Sequence, residues 1–280
     1  MSPQLNISNT SFGQSSAMAN TLVIELSKTM MYFCEMQSPI NKPDFITPFV
    51  IEQQNQKSAT EQFLLALNHL GFHKKKYEHV LVNVSDSFFT LCPNVLFEQE
   101  NARQILEFNC GDSKNQPLLV DDVSTTIKLI YTIDEELKST LDKLFPQHQI
   151  KHQITLLNKL MLNAEEFTKE ELLISIDEQS ICVVLKQQQQ IILANQYQIK
   201  TNEDVLYYIL FVIEQYQLNP LTLKLSVIGN IEANAELISS LKKYIKHVRL
   251  ATGNKLINWE QLKGMPQHFY FTLVNRLFCE

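Results

Sequence analysis

The chain has 280 residues, of which 45% are hydrophobic and 19% are charged, and its formal net charge is -6. An acidic chain disfavours non-specific binding to nucleic acid, which requires Lys and Arg to neutralise phosphates. No apolar run approaches the roughly 18 residues that a membrane-spanning helix needs. The five cysteines are scattered without a CxxC pair, as is typical of reduced thiols in the cytoplasm. We therefore expect a soluble, cytoplasmic protein that binds neither membrane nor nucleic acid.

The N-terminal segment MSPQLNISNTSFGQSSAMAN is polar and lacks the apolar core of a secretory signal. We expect residues 1–20 to form a disordered tail.

The first half of the chain predicts the element order β-β-β-α-β. Two apolar runs in TLVIELSKTMMYFCEM flank Ser27 and Lys28, which indicates a hairpin of two strands, and FITPFVIE indicates a third strand. Ser58 and Glu61 have the spacing of a capping box at a helix start, and Gly71 is placed to end that helix. The segment YEHVLVNVS predicts the following strand.

The second half predicts the same order. LLISIDEQSICVVLK indicates a hairpin, and IILANQYQI a third strand. Thr201 and Asp204 have the capping-box spacing at the start of NEDVLYYILFVIEQYQL. That helix is apolar on nearly all sides, so we expect it to be deeply buried, with Tyr207 and Tyr208 in the core. LTLKLSVIG predicts the next strand, and Gly229 follows it before a last amphipathic helix, AELISSLKKYI.

Between the two halves, NVLFEQENARQILEFN predicts a short helix, TTIKLIYTI a strand and DEELKSTLDKLF a helix with Asp134 at its start. We interpret residues 94 to about 150 as an inserted subdomain. The predicted architecture is thus α/β, with an N-terminal lobe over 21–165 that contains the insert and a similar C-terminal lobe over 166–280.

A duplicated lobe of this order resembles the actin-like ATPase superfamily, which has a ribonuclease H-like fold and includes sugar kinases, the Hsp70 ATPase domain and actin. The whole chain is also similar to a Bacteroidetes family that is a domain of unknown function. The segments that carry this second resemblance are FFTLCPNVLFEQENARQILEFN, ANQYQIKTNEDVLYYILFVIEQYQLNP, IGNIEANAELISSLKKYI and HFYFTLVNRLFCE. The resemblance implies the actin-like fold and no specific activity.

The superfamily resemblance implies a nucleotide cleft between two hairpins that carry D-x-G, where a carboxylate orders a metal or water and glycine amides approach the phosphates. Glu25, Leu26 and Ser27 occupy that place in the first hairpin. In the second, the match is either Asp177-Glu178-Gln179 or, two residues earlier, Ser175-Ile176-Asp177. Neither hairpin has a glycine, and a side chain there restricts positive φ and occupies the space of a phosphate.

A third nucleotide-contacting feature of the superfamily is a G-G pair after a late strand, of which Gly229-Asn230 keeps the first glycine. Gly229 is explained equally by an ordinary strand-to-helix turn. The residues that the resemblance places at a vestigial cleft are Glu25, Ser27, Lys28, Asp177, Glu178, Ser180, Gly229 and Asn230.

Two other polar segments have structural explanations. His148 and His152 would form a metal pair on a helix, but Pro146 and the polar residues between them favour a strand or loop. Ser85 and Asp86 follow a strand and either face a cleft or form an ordinary polar loop.

The missing glycines lead us to expect a catalytically inactive, pseudo-ATPase scaffold or adaptor with an unidentified protein partner, and without catalytic residues, metal or cofactor. The alternative is a divergent ATPase or nucleotide sensor in which Glu25, Asp177 and the Gly229 turn hold Mg-ATP.

Overall fold

The computed structural model describes residues 19–37, 42–51, 58–86, 88–163, 170–233, 235–252, 259 and 266–279. Its strands are β1 (Ala19–Leu26), β2 (Met30–Gln37), β3 (Lys42–Val50), β4 (His79–Val84), β5 (Phe89–Pro93), β6 (Leu118–Asp122), β7 (Ile127–Thr132), β8 (His148–His152), β9 (Glu170–Ile176), β10 (Ser180–Gln187), β11 (Gln190–Gln198), β12 (Lys224–Gly229) and β13 (His247–Leu250). Its helices are α1 (Ala59–Leu70), α2 (Ala102–Cys110), α3 (Glu135–Leu144), α4 (Gln153–Asn163), α5 (Asn202–Gln215), α6 (Glu236–Tyr244) and α7 (Phe271–Asn275).

The strands form two five-stranded sheets of the same design. The first has the order β3-β2-β1-β4-β8 and the second β11-β10-β9-β12-β13. In each sheet, three antiparallel strands are followed by two parallel strands that are reached through helices. The predicted duplication is therefore confirmed, and the fold is the expected mixed α/β architecture. Each lobe continues through one further helix and strand, α3 and β8 in the first and α6 and β13 in the second.

Both predicted helix starts and the first helix end are confirmed. Ser58 Oγ accepts the Glu61 amide while the Glu61 carboxylate accepts the Ser58 amide, and Thr201 and Asp204 make the same reciprocal pair. Gly71 ends α1 in the left-handed region, with φ of 74°. These caps satisfy amides that a helix start leaves without a partner, which explains why both helices begin at equivalent positions.

The two hairpin turns have equivalent backbone hydrogen bonds. The Ser27 amide donates to the Met30 carbonyl over 2.9 Å, and the Asp177 amide donates to the Ser180 carbonyl over 2.9 Å. Ser27 and Asp177 therefore occupy the same position in the two lobes. It follows that Glu25, two residues before Ser27, corresponds to Ser175, so the geometry matches the earlier of the two registers considered for the second hairpin.

Each sheet is covered on its outer face by two helices and on its inner face by one. Helices α1 and α3 pack on the outer face of the first sheet, and α5 and α6 on that of the second. The inner face of the second sheet packs against α4, where Leu157 and Leu173 share a buried cluster. The inner face of the first sheet packs against α7, where Leu273 lies with Val23. The chain therefore crosses between the lobes twice, through α4 and on its way to α7.

A three-stranded sheet with the order β5-β7-β6 projects from the first lobe, and α2 covers one of its faces. The predicted short helix and strand of this region correspond to α2 and β7. The division of the chain at 94 to about 150 stays a prediction, but α3 and β8 lie with the first five-stranded sheet, where β8 pairs with β4. Residues 1–18 of the expected tail lie outside the described residues.

The prediction that the tyrosine-rich helix is deeply buried is wrong for part of α5. Val205, Ile209 and Val212 are buried against the second sheet, but Tyr207 is 62% exposed and Phe211 45% exposed. A single layer of helices covers the outer face of the sheet, so α5 buries one side only.

The expectation that α6 is the last helix is also wrong, because α7 follows it. In the part of the chain that the structure describes, no helix has the length and apolar character needed to cross a membrane.

Candidate functional site

A polar cleft lies where the two hairpin turns and the end of β12 come together. Its lining consists of Glu25, Ser27, Tyr32, Ser85, Gln153, Ser175, Ile176, Asp177, Ile228, Gly229, Asn230, His268, Phe269 and Thr272. The cavity has a volume of about 30 Å³. One ordered water needs at least about 10–15 Å³ on this measure, whereas ligand pockets have volumes of roughly 300–1,000 Å³. In this conformation the cleft therefore has room for a few waters and not for a nucleotide.

The first hairpin turn uses its own side chain to bind its amides. Ser27 Oγ accepts the Thr29 amide over 3.3 Å and the Met30 amide over 3.1 Å. The same hydroxyl donates to the Met30 carbonyl over 3.2 Å. A serine here thus satisfies two donors that a glycine turn would leave free for an anion.

The second hairpin turn is bound in a similar way by Asp177. Its Oδ1 accepts the Glu178 amide over 2.8 Å and the Thr29 hydroxyl over 3.1 Å. The second of these bonds joins the two lobes, because Thr29 lies at the tip of the first hairpin. The Asp177 carboxylate is therefore engaged both within its own turn and across the cleft.

Gly229 is explained by close packing between two strands. Its φ is 95°, and a Cβ placed on it would lie 2.1 Å from the Ile176 carbonyl oxygen. The Gly229 amide donates to the His268 carbonyl over 2.8 Å, and the Asn230 amide donates to the Ile176 carbonyl over 2.8 Å. Only glycine allows the chain to turn this close to Ile176. Both amides of the turn are consequently bonded within the chain.

Glu25 lies on the inner face of β1 and points toward α7. Its Oε2 accepts the Thr272 hydroxyl over 2.7 Å and the Asn83 amide group over 3.4 Å. Burial raises the pKa of Glu25 to about 7, although both hydrogen bonds favour the charged form, and the negative charge of Asp177 raises it further. The negative charge of Asp177 thus acts on Glu25 across the cleft.

Ser85, Gln153 and Ser175 form a chain of hydrogen bonds between the lobes. Ser85 Oγ donates to Gln153 Oε1 over 2.7 Å, and Gln153 Nε2 donates to Ser175 Oγ over 3.2 Å. Gln153 is the first residue of α4, the helix that leads into the second lobe. Ser85 therefore lies in the cleft, which was one of the two alternatives that the sequence left open for it.

The remaining candidate residues lie around the cleft rather than in it. Lys28 is exposed and lies 3.5 Å from an oxygen of Asp86, whose side chain is about half exposed. Ser180 is buried, and its Oγ accepts Gln196 Nε2 over 3.0 Å. Glu178 faces a separate open depression of about 660 Å³ on the outer side of the second hairpin. The structure thus brings together Glu25, Ser27, Asp177, Gly229 and Asn230 in the cleft. Lys28 and Ser180 line a neighbouring cavity of about 10 Å³ with Asp177 and Ser85, and Glu178 lies apart.

Several residues of the cleft were not predicted from the sequence. His268, Phe269 and Thr272 belong to the segment that ends in α7, a helix of five residues without a side-chain cap. Gln153 immediately follows β8. A short helix and a single polar residue after a strand carry no periodic signal, so only the folded structure shows that these residues meet Glu25 and Ser175.

The arrangement of the cleft does not fit a nucleotide. The amides of Thr29, Met30, Glu178 and Gly229 are engaged within the chain, and the cavity has room for a few waters only. A phosphate group needs free donors and space at the same turns. In addition, no group of three or more His, Cys, Asp or Glu side chains is placed to bind a metal ion among the residues for which the structure gives positions.

Solved structures share this fold. A Bacteroides thetaiotaomicron protein with an actin-like ATPase fold and unknown function superimposes with a TM-score of 0.73 at 24% identity, covering 89% of this chain and 97% of that one. The PilM-PilN type IV pilus biogenesis complex gives a TM-score of 0.64 at 10% identity, covering 92% and 98%. The ethanolamine utilization protein EutJ from Carboxydothermus hydrogenoformans gives 0.50 at 6% identity, covering 90% and 87%. These similarities show that the chain has the actin-like ATPase fold.

Sequence comparison with curated proteins finds no match. Residues 9–248 match the model of a family described as a protein of unknown function, DUF3822. Because the match covers most of the chain, this protein belongs to the DUF3822 family.

Proposed function

We propose that this protein is a catalytically inactive actin-like scaffold or adaptor that binds another protein. The observation that carries the proposal is that the turns of the cleft bind their own amides. Ser27 Oγ accepts two of them, Asp177 Oδ1 accepts a third, and the Gly229 amide donates to a backbone carbonyl. A phosphate would have to break these bonds, each of which contributes about 0.5–1.5 kcal/mol, before it could reach the donors.

The contacts across the cleft support the same proposal. Admission of a nucleotide would require the lobes to separate, which breaks the bond from Thr29 to Asp177 and the bond from Gln153 to Ser175. Both bonds are made by side chains within the cleft itself. The side chains of the cleft thus join the two lobes, as suits a rigid scaffold.

A related fold occurs in a protein assembly, the PilM-PilN type IV pilus biogenesis complex. That precedent supports a protein partner for this chain. We further propose a cytoplasmic location, which the five free cysteines support.

Differential scanning fluorimetry with about 1 mM Mg-ATP tests the proposal, because only a ligand that binds the native state raises the melting temperature. We expect the melting temperature to stay the same with and without Mg-ATP. A control with Mg²⁺ alone separates an effect of the metal ion from an effect of the nucleotide.

The alternative function is a divergent Mg-ATP-binding ATPase or nucleotide sensor. It is favoured by the two carboxyl groups, Glu25 and Asp177, that face the same cleft. Under this alternative, Mg-ATP raises the melting temperature by several degrees, and the Asp177→Ala variant loses the rise. That pair of results would replace the adaptor proposal.

A further inference from the structure

Four aromatic rings form a continuous strip on the outer surface of the second lobe. Tyr197 of β11 stacks on Tyr208 of α5, with ring centroids 4.4 Å apart. Tyr208 meets Tyr207 edge to face at 5.3 Å, and Tyr207 stacks on Phe211 at 6.2 Å. Tyr207 and Phe211 are exposed, whereas the other two rings are half-buried. The exposed rings are thus held in place by their neighbours. Binding of a partner to these rings would therefore cost little side-chain entropy.

The first lobe shows that the fold does not require an aromatic residue at the end of this strip. Helices α1 and α5 occupy the same place in their lobes and begin at the capping boxes of Ser58 and Thr201. Phe211 is the tenth residue after its N-cap, and Asn68 is the tenth after that of α1. Both positions are exposed. A polar residue therefore satisfies the fold here, and the phenyl ring of the second lobe calls for another explanation.

The charged residues of α5 itself all have one sign. Residues 201–223 include three acidic residues, Glu203, Asp204 and Glu214, and neither Lys nor Arg. Glu203 and Glu214 are exposed near opposite ends of α5, on either side of the exposed rings in the sequence. Exposed lysines lie just before the N-cap of α5, at 200, and on the neighbouring helix α6, at 242 and 243, which limits the acidic surface to α5. A positively charged partner matches this distribution.

A second copy of the chain matches the charge distribution of α5 less well. An antiparallel pair of α5 helices that stacks Tyr207 on Phe211 of the other copy brings Asp204 of one helix beside Glu214 of the other. Like charges in that position oppose association. The distribution of charge therefore favours a different protein over self-association.

We infer that the aromatic strip of α5 docks a basic amphipathic helix of a partner protein. Tyr207 and Phe211 lie one helical turn apart, which suits apolar residues at the same spacing on the partner, and Glu203 and Glu214 suit Lys or Arg beside them. This inference rests on the proposed adaptor function and names the surface and the kind of partner.

Fluorescence anisotropy tests the inference with the full chain and a labelled amphipathic peptide of Leu and Lys, 14 residues long like α5. The matched peptide has Glu in place of Lys. We expect saturable binding of the Leu/Lys peptide and much weaker binding of the Leu/Glu peptide. Phe211→Asn, which installs the residue of the first lobe, should weaken binding by about tenfold or more. Glu214→Lys should weaken it several-fold.

The matched control variant is Leu65→Asn on α1, because Leu65 is 44% exposed and Phe211 is 45% exposed. It should leave peptide binding unchanged. Equal binding of the two peptides, an unchanged affinity in Phe211→Asn, or an equal loss in Leu65→Asn would overturn the inference. Tyr207→Gln serves as a second variant should Phe211→Asn fail to fold.

Sedimentation velocity gives a further outcome. A dimer that Phe211→Asn converts to monomer would mean that a second copy covers the strip, and would overturn the inference in favour of self-association. The adaptor proposal is tested separately by the Mg-ATP experiment, which probes the cleft and not α5. A failed peptide test therefore overturns the inference about α5 and not the adaptor proposal.

Discussion

Thr29 Oγ1 donates a hydrogen bond of 3.1 Å to Asp177 Oδ1, and the two residues belong to the tips of equivalent hairpins in different lobes. Thr29 is buried, so its hydroxyl is largely removed from water. In the actin-like superfamily, the corresponding tips approach the phosphates of a nucleotide. In this chain they approach each other, and the bond between them is one of the interactions that set how the lobes lie.

Replacement of Thr29 with Val should destabilise the protein by about 0.5–1.5 kcal/mol, because it removes the hydroxyl donor while keeping the shape of the side chain. Urea denaturation followed by circular dichroism measures the loss as a lower midpoint. Thr29→Ser keeps the hydroxyl and should retain most of the stability. Equal midpoints for Thr29→Val and the wild type would show that this bond does not stabilise the closed cleft.

Replacement of Gly229 with Ala should destabilise the protein by about 3 kcal/mol or more, since the added Cβ would lie 2.1 Å from the Ile176 carbonyl oxygen. Gly71→Ala is the matched control. Gly71 also has positive φ, at 74°, but a Cβ there meets no atom within 4 Å. That control should cost about 1 kcal/mol. Similar losses in the two variants, measured by urea denaturation, would mean that backbone conformation and not packing against Ile176 requires glycine at 229.

The secondary structure was predictable wherever the signal lay within a few residues of sequence. The capping boxes at Ser58 and Thr201 specify helix starts because the two partners of each box are three residues apart. Apolar runs on either side of a short polar turn also predicted both hairpins. Because the same local signals occur in both halves of the chain, the duplicated lobe could also be predicted.

The cleft was predictable only in part, because its residues come from distant segments. Thr272 bonds to Glu25 across 247 positions of the sequence, and Ser175 meets Gln153 from the other lobe. No local pattern marks such pairs. The prediction that α5 is deeply buried failed for a different reason. An apolar side chain can be buried, but the sequence does not show whether another element covers it, and Phe211 is left exposed.

The stability of the protein should depend on the ionisation of Glu25. Its pKa in the folded state is about 7, above the ordinary value of 4.5, so between these pH values the folded chain holds a proton that the unfolded chain has lost. The free energy of unfolding that Glu25 contributes therefore falls as pH rises from 4.5 to about 7 and is constant above that. A shift of this size amounts to at most about 3 kcal/mol, and contact with water in the cleft reduces it.

Glu25→Gln tests this dependence, because the amide keeps an acceptor for Thr272 but does not titrate. The wild type and the variant should be compared by urea denaturation at pH values from about 5 to 8, so that the titration of all other groups cancels in the difference. We expect the variant to gain stability relative to the wild type as pH rises. A difference that is independent of pH would show that Glu25 ionises in the folded protein as it does in the unfolded chain.

His152 should behave in the opposite way. The ring is fully buried at the end of β8 and packs between Phe89 and Tyr131, with centroids 4.9 and 5.1 Å away. Its Nδ1 accepts the Ile154 amide over 3.1 Å, so the proton of the neutral ring lies on Nε2, which is 2.9 Å from the Asp86 carbonyl oxygen. Burial lowers the pKa of His152 to about 4, from an ordinary value of 6.5.

The imidazole of His152 should therefore stay neutral down to about pH 5, which NMR detects as ring chemical shifts that do not change between pH 8 and 5. The resonance can be assigned by its absence in His152→Gln.

Because the folded pKa is lowered, the stability that His152 contributes is complete above pH 6.5 and is lost as pH falls toward 4. The His152→Gln variant should lack that loss, although it is less stable than the wild type at pH 7 by about 1–3 kcal/mol because buried hydrogen bonds are disturbed. A titration midpoint near the ordinary value would contradict the burial of this ring and, with it, the packing of β8 against the three-stranded sheet.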